Sequence, residues 1–409
     1  MTGAMTSRRP WHGRRVVLGA TGGIAVYKAV HIARDLTRLG AQVDVVLTRS
    51  AREFIGPVTF EALTGRPVLH ELVAAGHALD HIRLAREADV ICIAPATADF
   101  VARAAAGRAD DLLTAILLAT RAPVLVCPAM NDRMWDHPQT RANVRHLRDV
   151  IGYEIVGPAT GPLAYGEGEG PGRLEEPDVI VEHIGRALTG VTPFLGRNVV
   201  VTAGPTREPV DPVRVLTNRS SGRMGFALAA AAWRRGADVT LIHGPTELAP
   251  PPGPEVRRVQ TAAEMEAAVR SALPKADALI MAAAIADFRP ATAAAEKIKK
   301  EHAPASIPLE PAPDVLRATR DARPAHLAVV GFALETTDAR ENARRKLRDK
   351  DLDLIVLNEA TSPDAGFEVE TNRVVIIGRG GQEDELPLLP KTEVAEAILD
   401  RLAPLLAER

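Results

Sequence analysis

In the run GPTREPVDPVRVLTNRSSGRMG the guanidinium groups of Arg207 and Arg214 stand with the amide and hydroxyl side chains of Asn218, Ser220 and Ser221. The run follows an apolar strand pattern, NVVVTA, and leads into a helical one, GFALAAAAWRRG. Cations, hydroxyls and free backbone N–H groups ahead of a helix suit a phosphate or a carboxylate. Farther on, ADALIMAAAIADFRP ends a strand in small residues, where only alanine lets a base or ribose lie against the backbone, and Asp287 follows. KIKK then sets Lys297, Lys299 and Lys300 on a basic, Pro-interrupted segment, AEKIKKEHAPASIPLEPAPD, expected to be a mobile loop. Lys346 and Lys350 stand four apart and share one helical face. A lysine run alone reads as a solvated face. Beside a triphosphate it brings charge to the transferring phosphorus. No G-x-x-x-x-G-K-[ST] run occurs, so P-loop hydrolysis is not expected.

The first half offers an anion site of another make. RVVLGA runs into ATGGI and then a helical segment, which sets the N–H groups of Thr21 to Ile24 at a helix N-terminus; Thr48 and Ser50, after the next strand, add hydroxyls. G-x-G-x-x-G is absent, and a purely structural glycine turn would explain ATGGI about as often as a cofactor. The runs IAPATADF and VCPAMNDRMW place Pro95 and Pro128 at strand ends, where open sheets hold their ligands, with Met130, Asn131 and Met134 beside the second. His81, in LDHIRLA, reads on its own as a solvated loop histidine.

The elements that must position these groups are legible as a pattern. RVVLGA, QVDVVLT, ADVICIAPA and PVLVCPA alternate with helical segments such as AVYKAVHIARDLTRLG and DDLLTAILLATR, which means parallel pairing with right-handed crossovers. The pattern stops at VTPFLGR, a short hinge around Gly190 to Gly196. It resumes with NVVVTAG, DVTLIHG, ADALIMAAA, LAVVGFA, LDLIVLN and RVVIIG, all assigned to a second parallel sheet, while ELAPPPGPEV reads as a solvated loop. The expected fold is α/β with two doubly wound parallel-sheet domains, residues 1–190 and 191–409, as a 409-residue chain outgrows a single core.

Composition narrows the function classes. Hydrophobic residues make up 46% but aromatics only 3%, so the cores must be aliphatic. Fifty basic against 52 acidic residues give a formal charge of -2 without a basic arm, and nucleic-acid binding is not expected. Cys92 and Cys127 lie inside apolar strand runs, which argues against a disulfide scaffold and for a reducing cytoplasm. Neither a signal core nor a run of transmembrane length occurs, so a soluble, unprocessed chain starting at Met1 or Met5 is expected.

Taken in order, T/S-GGI, H-I-x-L, APATAD and PxMNxxMW resemble the flavin-dependent cysteine decarboxylases. The resemblance implies a flavodoxin-like domain that binds FMN, with the phosphate near Thr21, Gly22, Gly23, Thr48 and Ser50 and the ring near Ala96, Thr97 and Met130. It also implies that His81 is the acid/base group or carboxylate partner and that Asn131 holds the substrate's carboxylate and amide. The family's flap usually carries a cysteine in A-C-G-x-x-G-x-G-R; the matching GPLAYGEGEGPGRL sets Tyr165 there, a phenol in place of a thiol as candidate proton donor.

The second half resembles the phosphopantothenate-cysteine ligases through AGPTREPxDPVRxxxNxSSGxMG, AAAxADFRP, KIKK, GFAxET and KxxxKxxDxIVxN, over nearly all of Arg197 to Leu402. This implies a Rossmann-like domain in which CTP activates the carboxylate of 4'-phosphopantothenate as an acyl-CMP and the amine of cysteine displaces CMP. By position, Met281, Ala282, Ala283, Asp287, Ala312, Pro313, Asp314, Val315, Phe332, Lys346 and Lys350 would line the CTP site. Lys297 would stabilise charge at the α phosphorus, Arg214 would hold the substrate, and Asn218 would promote conversion of the acyl-cytidylate. Magnesium would bridge the triphosphate, its protein ligands unknown. At PAPDV the family commonly has N-P-D-I, so Ala312 offers no amide there.

Joined in this order, the halves are similar to the bacterial bifunctional coenzyme A biosynthesis family. That implies a homo-oligomer, a dodecamer by analogy, with flavin sites built between subunits. Two other readings remain open from the residues alone. One is an active ligase joined to a flavin-binding scaffold, on the strength of the replaced flap cysteine. The other is an NAD-dependent oxidoreductase, against which both halves lack the dinucleotide fingerprint.

Overall fold

The computed structural model describes residues 10–73, 78–299, 306–335, 338–359 and 369–408. Lys300, one of the loop lysines, lies outside them. The chain divides into two compact units, Met1–Thr189 and Gly190–Arg409.

The first unit is built on β1 (Arg15–Ala20), β2 (Gln42–Leu47), β3 (Val90–Ala96), β4 (Val124–Pro128) and β5 (Glu154–Ile155), in the parallel, flavodoxin-like order β2-β1-β3-β4-β5. Val and Ile dominate because helices cover both faces of the sheet. One core gathers Leu18, Ile32, Leu36, Cys92 and Ile180, and the other Val17, Ile91, Phe100 and Ile116. Burying each such side chain contributes about 1.5–3 kcal/mol. Cys92 and Cys127 are buried free thiols with their sulfurs 3.9 Å apart. Strand order reverses between β1 and β3, so the chain leaves their carboxyl ends in opposite directions and opens a crevice there. After β5 comes an antiparallel hairpin, β6 (Ala159–Pro162) and β7 (Glu169–Arg173).

The second unit carries eight strands in the order Glu255–Arg258, Asp238–His243, β8 (Asn198–Ala203), Ala278–Met281, Ala328–Glu335, Leu354–Glu359, Val374–Gly378 and Glu383–Glu385. The first six pair in parallel. RVVIIG departs from the sequence expectation: Val374–Gly378 runs antiparallel to Leu354–Glu359, and Glu383–Glu385 antiparallel to it in turn. A parallel neighbour needs a long, usually helical crossover, and ATSPDAGFEVETN between those strands carries no helical apolar period. Two segments read as loose are in fact packed. In the hinge run VTPFLGR, Phe194 is fully buried in the second core, and in the Pro-rich stretch Leu248 packs against the same core. Among the described residues no helix is long and apolar enough to cross a membrane.

Close approach fixes the entry to the helix Arg223–Arg234. A Cβ on Gly225 would stand 2.5 Å from the Ala203 Cβ and 2.8 Å from the Thr202 carbonyl oxygen, so the first helical turn lies directly on the end of β8. Gly225→Ala should therefore destabilise the second unit by ~1–3 kcal/mol, the usual range for overpacking, without moving the unfolding of the first. Calorimetry of the full chain reads both; an unchanged profile would contradict the packing argument.

Candidate functional sites

At the β1/β3 switch point the chain's own donors are left free. Among the described residues no hydrogen bond takes the backbone N–H of Gly22, Gly23 or Ile24, and Ala25, which caps α1 (Val26–Arg38), supplies no side-chain cap. The Thr21 hydroxyl is spent inside: it donates to the Pro95 carbonyl at 2.8 Å and accepts from the Thr97 N–H at 3.0 Å, tying β1 to β3. Gly22 lies so close to Ser50 that a Cβ would fall 2.4 Å from its Oγ. Ser50 and Thr48 are 3.3 Å apart through their hydroxyls and open onto a cavity of about 530 Å³.

That cavity adds residues the sequence reading had not singled out: Arg49, His70, Arg103 and Asp111. Arg103 reaches Asp111 at 2.6 Å and Asp99 at 3.0 Å. Asp111 also caps the helix Leu112–Ala119 through the Thr114 N–H. Burial pushes the Asp111 carboxyl up, but the Thr114 and Arg103 hydrogen bonds hold it below the ordinary range. The signal was present as an Asp before a helical run, a capping position, though nothing in ARAAAGRADD says that its partner faces a cavity.

The remaining first-unit candidates are not gathered there. His81 opens the helix Asp80–Glu87, its Nδ1 buried with no hydrogen-bond partner among the described residues. Asn131 caps the helix Asp132–Asp136, its Oδ1 accepting from the Arg133 N–H at 3.0 Å. The hairpin is rooted beside it: the Met130 N–H donates to the Gly172 carbonyl at 2.9 Å. Its outgoing leg is pinned by buried Lys28, whose ammonium donates to the Leu174 carbonyl at 2.7 Å and meets Glu176 at 3.1 Å. Tyr165 sits at the hairpin tip, wholly exposed.

In the second unit two cavities, of about 380 and 290 Å³, share Ala283, Ile285, Asp287, Phe332 and Lys346. The smaller adds Met281, Ala312, Pro313, Asp314, Val315 and Lys350; the larger adds Asn218, Ser220, Ser221 and Ala282 and, among residues not assigned to the site from the sequence, Arg223, Asn358 and Lys391. Asn218 donates to the Ile285 carbonyl at 2.9 Å and thereby ties the NRSSG loop to the alanine-rich strand end. Lys346 donates to the Phe332 carbonyl at 2.8 Å, and burial followed by the nearby Lys350 charge lowers its pKa. Lys350 pairs with Asp314 at 3.0 Å; against the effect of burial, this partner holds the Asp314 carboxyl below the ordinary range. Asn358 Oδ1 and Arg223 Nε are buried without partners. Arg214 and Lys297 are exposed and line neither cavity.

Residues 5–189 match the Flavoprotein family, and residues 194–405 the DNA/pantothenate metabolism flavoprotein C-terminal domain. Over 409 residues the chain is 46% identical to the coenzyme A biosynthesis bifunctional protein CoaBC of Mycobacterium tuberculosis (strain H37Rv), covering 96% of this chain and 97% of that one. The chain belongs to this bifunctional coenzyme A biosynthesis family. The protein of the same name from Escherichia coli (strain K12) is 44% identical over 398 residues, covering 95% and 97%, and that from Bacillus subtilis (strain 168) is 43% identical over 397, covering 96% and 97%. It is an enzyme with two activities, a decarboxylase in its flavoprotein half and a ligase in the other. The relatives support this reading and not a ligase joined to an inert flavin scaffold.

Lys391 gives the site a pH signature. Burial, reinforced by the Arg223 charge, lowers its pKa to about 8. Between that value and the ordinary lysine range the unfolded chain holds a proton that the folded chain has lost, so stability rises with pH there. The second unit should gain stability through this alkaline window, and Lys391→Met should abolish the gain. Urea titrations across the window check it, and equal slopes for the two proteins would refute the assignment.

Proposed function

We propose that the second unit joins 4'-phosphopantothenate to cysteine at the cost of CTP, and that the first, with FMN, decarboxylates the resulting phosphopantothenoylcysteine to 4'-phosphopantetheine. The observation that carries the ligase reading is the joined pair of cavities. One is walled by alanine and proline backbone with two lysines, a fit for a base, ribose and phosphates; the other is headed by a helix N-terminus and polar groups, a fit for further phosphate or carboxylate oxygens. CTP would lie across both, with Lys346 and Lys350 on its phosphates. Magnesium would arrive with the triphosphate, and Asp287 is a carboxylate facing both cavities. Lys297 would bear on the α phosphorus as the substrate carboxylate attacks, Arg214 on the acid substrate, and Asn218 on the acyl-cytidylate as the amine of cysteine expels CMP.

The first unit fits a flavin phosphate: the unpaired N–H groups of Gly22 to Ile24, the close seat on Ser50 and the hydroxyl pair Thr48–Ser50 form an anion cradle. Ala96, Thr97 and Met130 would border the ring. Bound there, FMN would supply the electron sink that direct loss of carbon dioxide from a cysteine carboxylate lacks. Asn131 would hold the carboxylate and amide, and His81 would move a proton through its unpartnered ring nitrogen. Tyr165, at the exposed tip of the hairpin, would donate the closing proton, which suits a site completed between subunits of a homo-oligomer, a dodecamer by analogy. The two free thiols suit a reducing compartment such as the cytoplasm.

The test is incubation of the full chain with CTP, magnesium, cysteine and 4'-phosphopantothenate, with products identified by mass. Pyrophosphate, CMP and 4'-phosphopantetheine are expected; a mixture left unchanged would refute the reading. Lys297→Gln should slow acyl-CMP formation by about 10²–10³-fold, the scale of one removed electrostatic stabiliser. Gly22→Ala, which drives a Cβ into Ser50, should leave the purified protein without flavin absorbance while ligase turnover persists.

A further inference from the structure

The turn that carries Arg214 and the segment that carries Lys297 meet at one carboxylate. Within PVDPVR the Val210 N–H donates to the Arg214 carbonyl at 2.9 Å, closing the turn. Asp211 fills its interior. Its Oδ1 accepts the backbone N–H of Val213 and of Arg214, both at 2.8 Å. Its Oδ2 accepts the Arg214 guanidinium at 3.1 Å and, from far along the chain, the backbone N–H of Ile298 at 3.2 Å. Ile298 stands between Lys297 and Lys299. A second tie runs alongside, from the Ala294 N–H to the Val210 carbonyl at 3.0 Å.

A capped turn accounts for the Val213 and Arg214 amides. It does not account for the Ile298 bond, nor for a carboxylate side chain with no exposed surface at the base of a half-exposed arginine. Burying a carboxylate is unfavourable unless its oxygens are satisfied, and here four donors satisfy it. Those N–H groups and the Arg214 charge outweigh burial and hold the carboxyl below its ordinary range, so it is ionised at neutral pH.

We propose that Asp211 is a positioning residue for the ligase reaction, a latch whose carboxylate fixes the Arg214 turn and the Lys297 segment relative to one another so that both cations act on the same reacting group. The proposal rests on the ligase reading of the second unit. The two cations are far apart in sequence and both exposed; among the described residues this shared acceptor is the side chain that bonds to both of their segments, and small misplacement of a charged group is costly in rate.

Asp211→Asn in the full chain is the test. The amide keeps a carbonyl for the Val213 and Arg214 N–H groups but turns an NH₂ toward Ile298 and the guanidinium, opposing donor to donor. Ile298→Pro removes the other end of the long-range bond and leaves Asp211 intact. Each should lower CTP-dependent pyrophosphate release by about tenfold in kcat, the scale of a lost hydrogen bond to a charged group, with KM for CTP changed less than about twofold. The Ile298 amide of Asp211→Asn should exchange with deuterium faster than in the parent. Decarboxylation of supplied phosphopantothenoylcysteine should be unchanged, which shows a folded chain. In a Lys297→Gln background, Asp211→Asn should cost less than it does in the parent, since one of the two cations it positions is already gone. A parent chain that releases pyrophosphate while Asp211→Asn matches it, or multiplies fully with Lys297→Gln, overturns the latch and leaves the ligase reading standing. A parent that releases none overturns both.

Discussion

On the proposed reading, both units work where a parallel sheet runs out of partners for its own backbone. Along the inner strands the backbone groups pair with neighbouring strands and both faces are under helices, so a charged ligand finds few donors there. At the carboxyl ends the pairing stops, the chain turns into helices, and donors are left over. In the first unit those are the amides of Gly22 to Ile24, which make no hydrogen bond among the described residues. In the second they lie where the helix Arg223–Arg234 begins on β8, close enough that Gly225 admits no side chain. The Thr21 and Asn218 side chains, drawn by the sequence pattern toward ligands, serve this edge first: one ties β1 to β3, the other ties the NRSSG loop to the Ala284–Ile285 backbone. The binding edges are shaped by hydrogen bonds that the ligands do not have to supply.

Charge is set into this edge in a graded way. Lys346 and Lys391 are held largely out of water with lowered pKa values, each anchored to a backbone carbonyl, so their positions are set before any anion arrives. Desolvated cations on fixed stems favour a polyanion more than solvated ones do, because the anion replaces no hydration shell. Arg214 and Lys297 are the opposite case: both are exposed, and they gain direction from the turn and the segment that Asp211 joins. That division suits a reaction in which the phosphate-holding charges stay put while charge at the reacting carbon and phosphorus develops and disappears.

Much of this was legible in the sequence, and for identifiable reasons. Strand runs such as RVVLGA and ADALIM, short and β-branched between helical segments, can hardly be other than buried strands. RVVIIG looks identical by composition, yet direction is decided by the connection before it and not by the strand itself. The cavity residues Ala283, Asp287, Phe332 and Lys346 fell inside long motif runs and converge as a group. Arg103, Asp111, Arg223 and Lys391 were missed because each lies on a separate element and none has a local pattern that distinguishes a cavity wall from a helix cap, a strand end or a solvated face, while Asn358 closes the KxxxKxxDxIVxN run without having been assigned to the site. The Ile298 amide illustrates the limit: a backbone N–H has no sequence signature, and only the fold brings it to Asp211.

The first unit leaves its candidates apart in a way that carries information. The cradle at Gly22 to Ile24 and the capping Asn131 belong to the sheet edge, whereas the buried nitrogen of His81 lacks a partner and Tyr165 stands free at the end of a hairpin rooted on Met130. The hairpin is pinned at its base by Lys28 and carries a fully exposed Tyr165 at its tip. An aromatic side chain with its whole surface in water gains nothing for the monomer, and its apolar ring favours burial by about 1.5–3 kcal/mol or more once a surface is offered. A phenol at that tip therefore has more contact area with which to seat the flap on a neighbouring surface than a thiol would, while retaining a proton to give. On the proposed reading, the replacement of the flap cysteine changes the donor and the grip together, and the two effects need not be separated for the site to close.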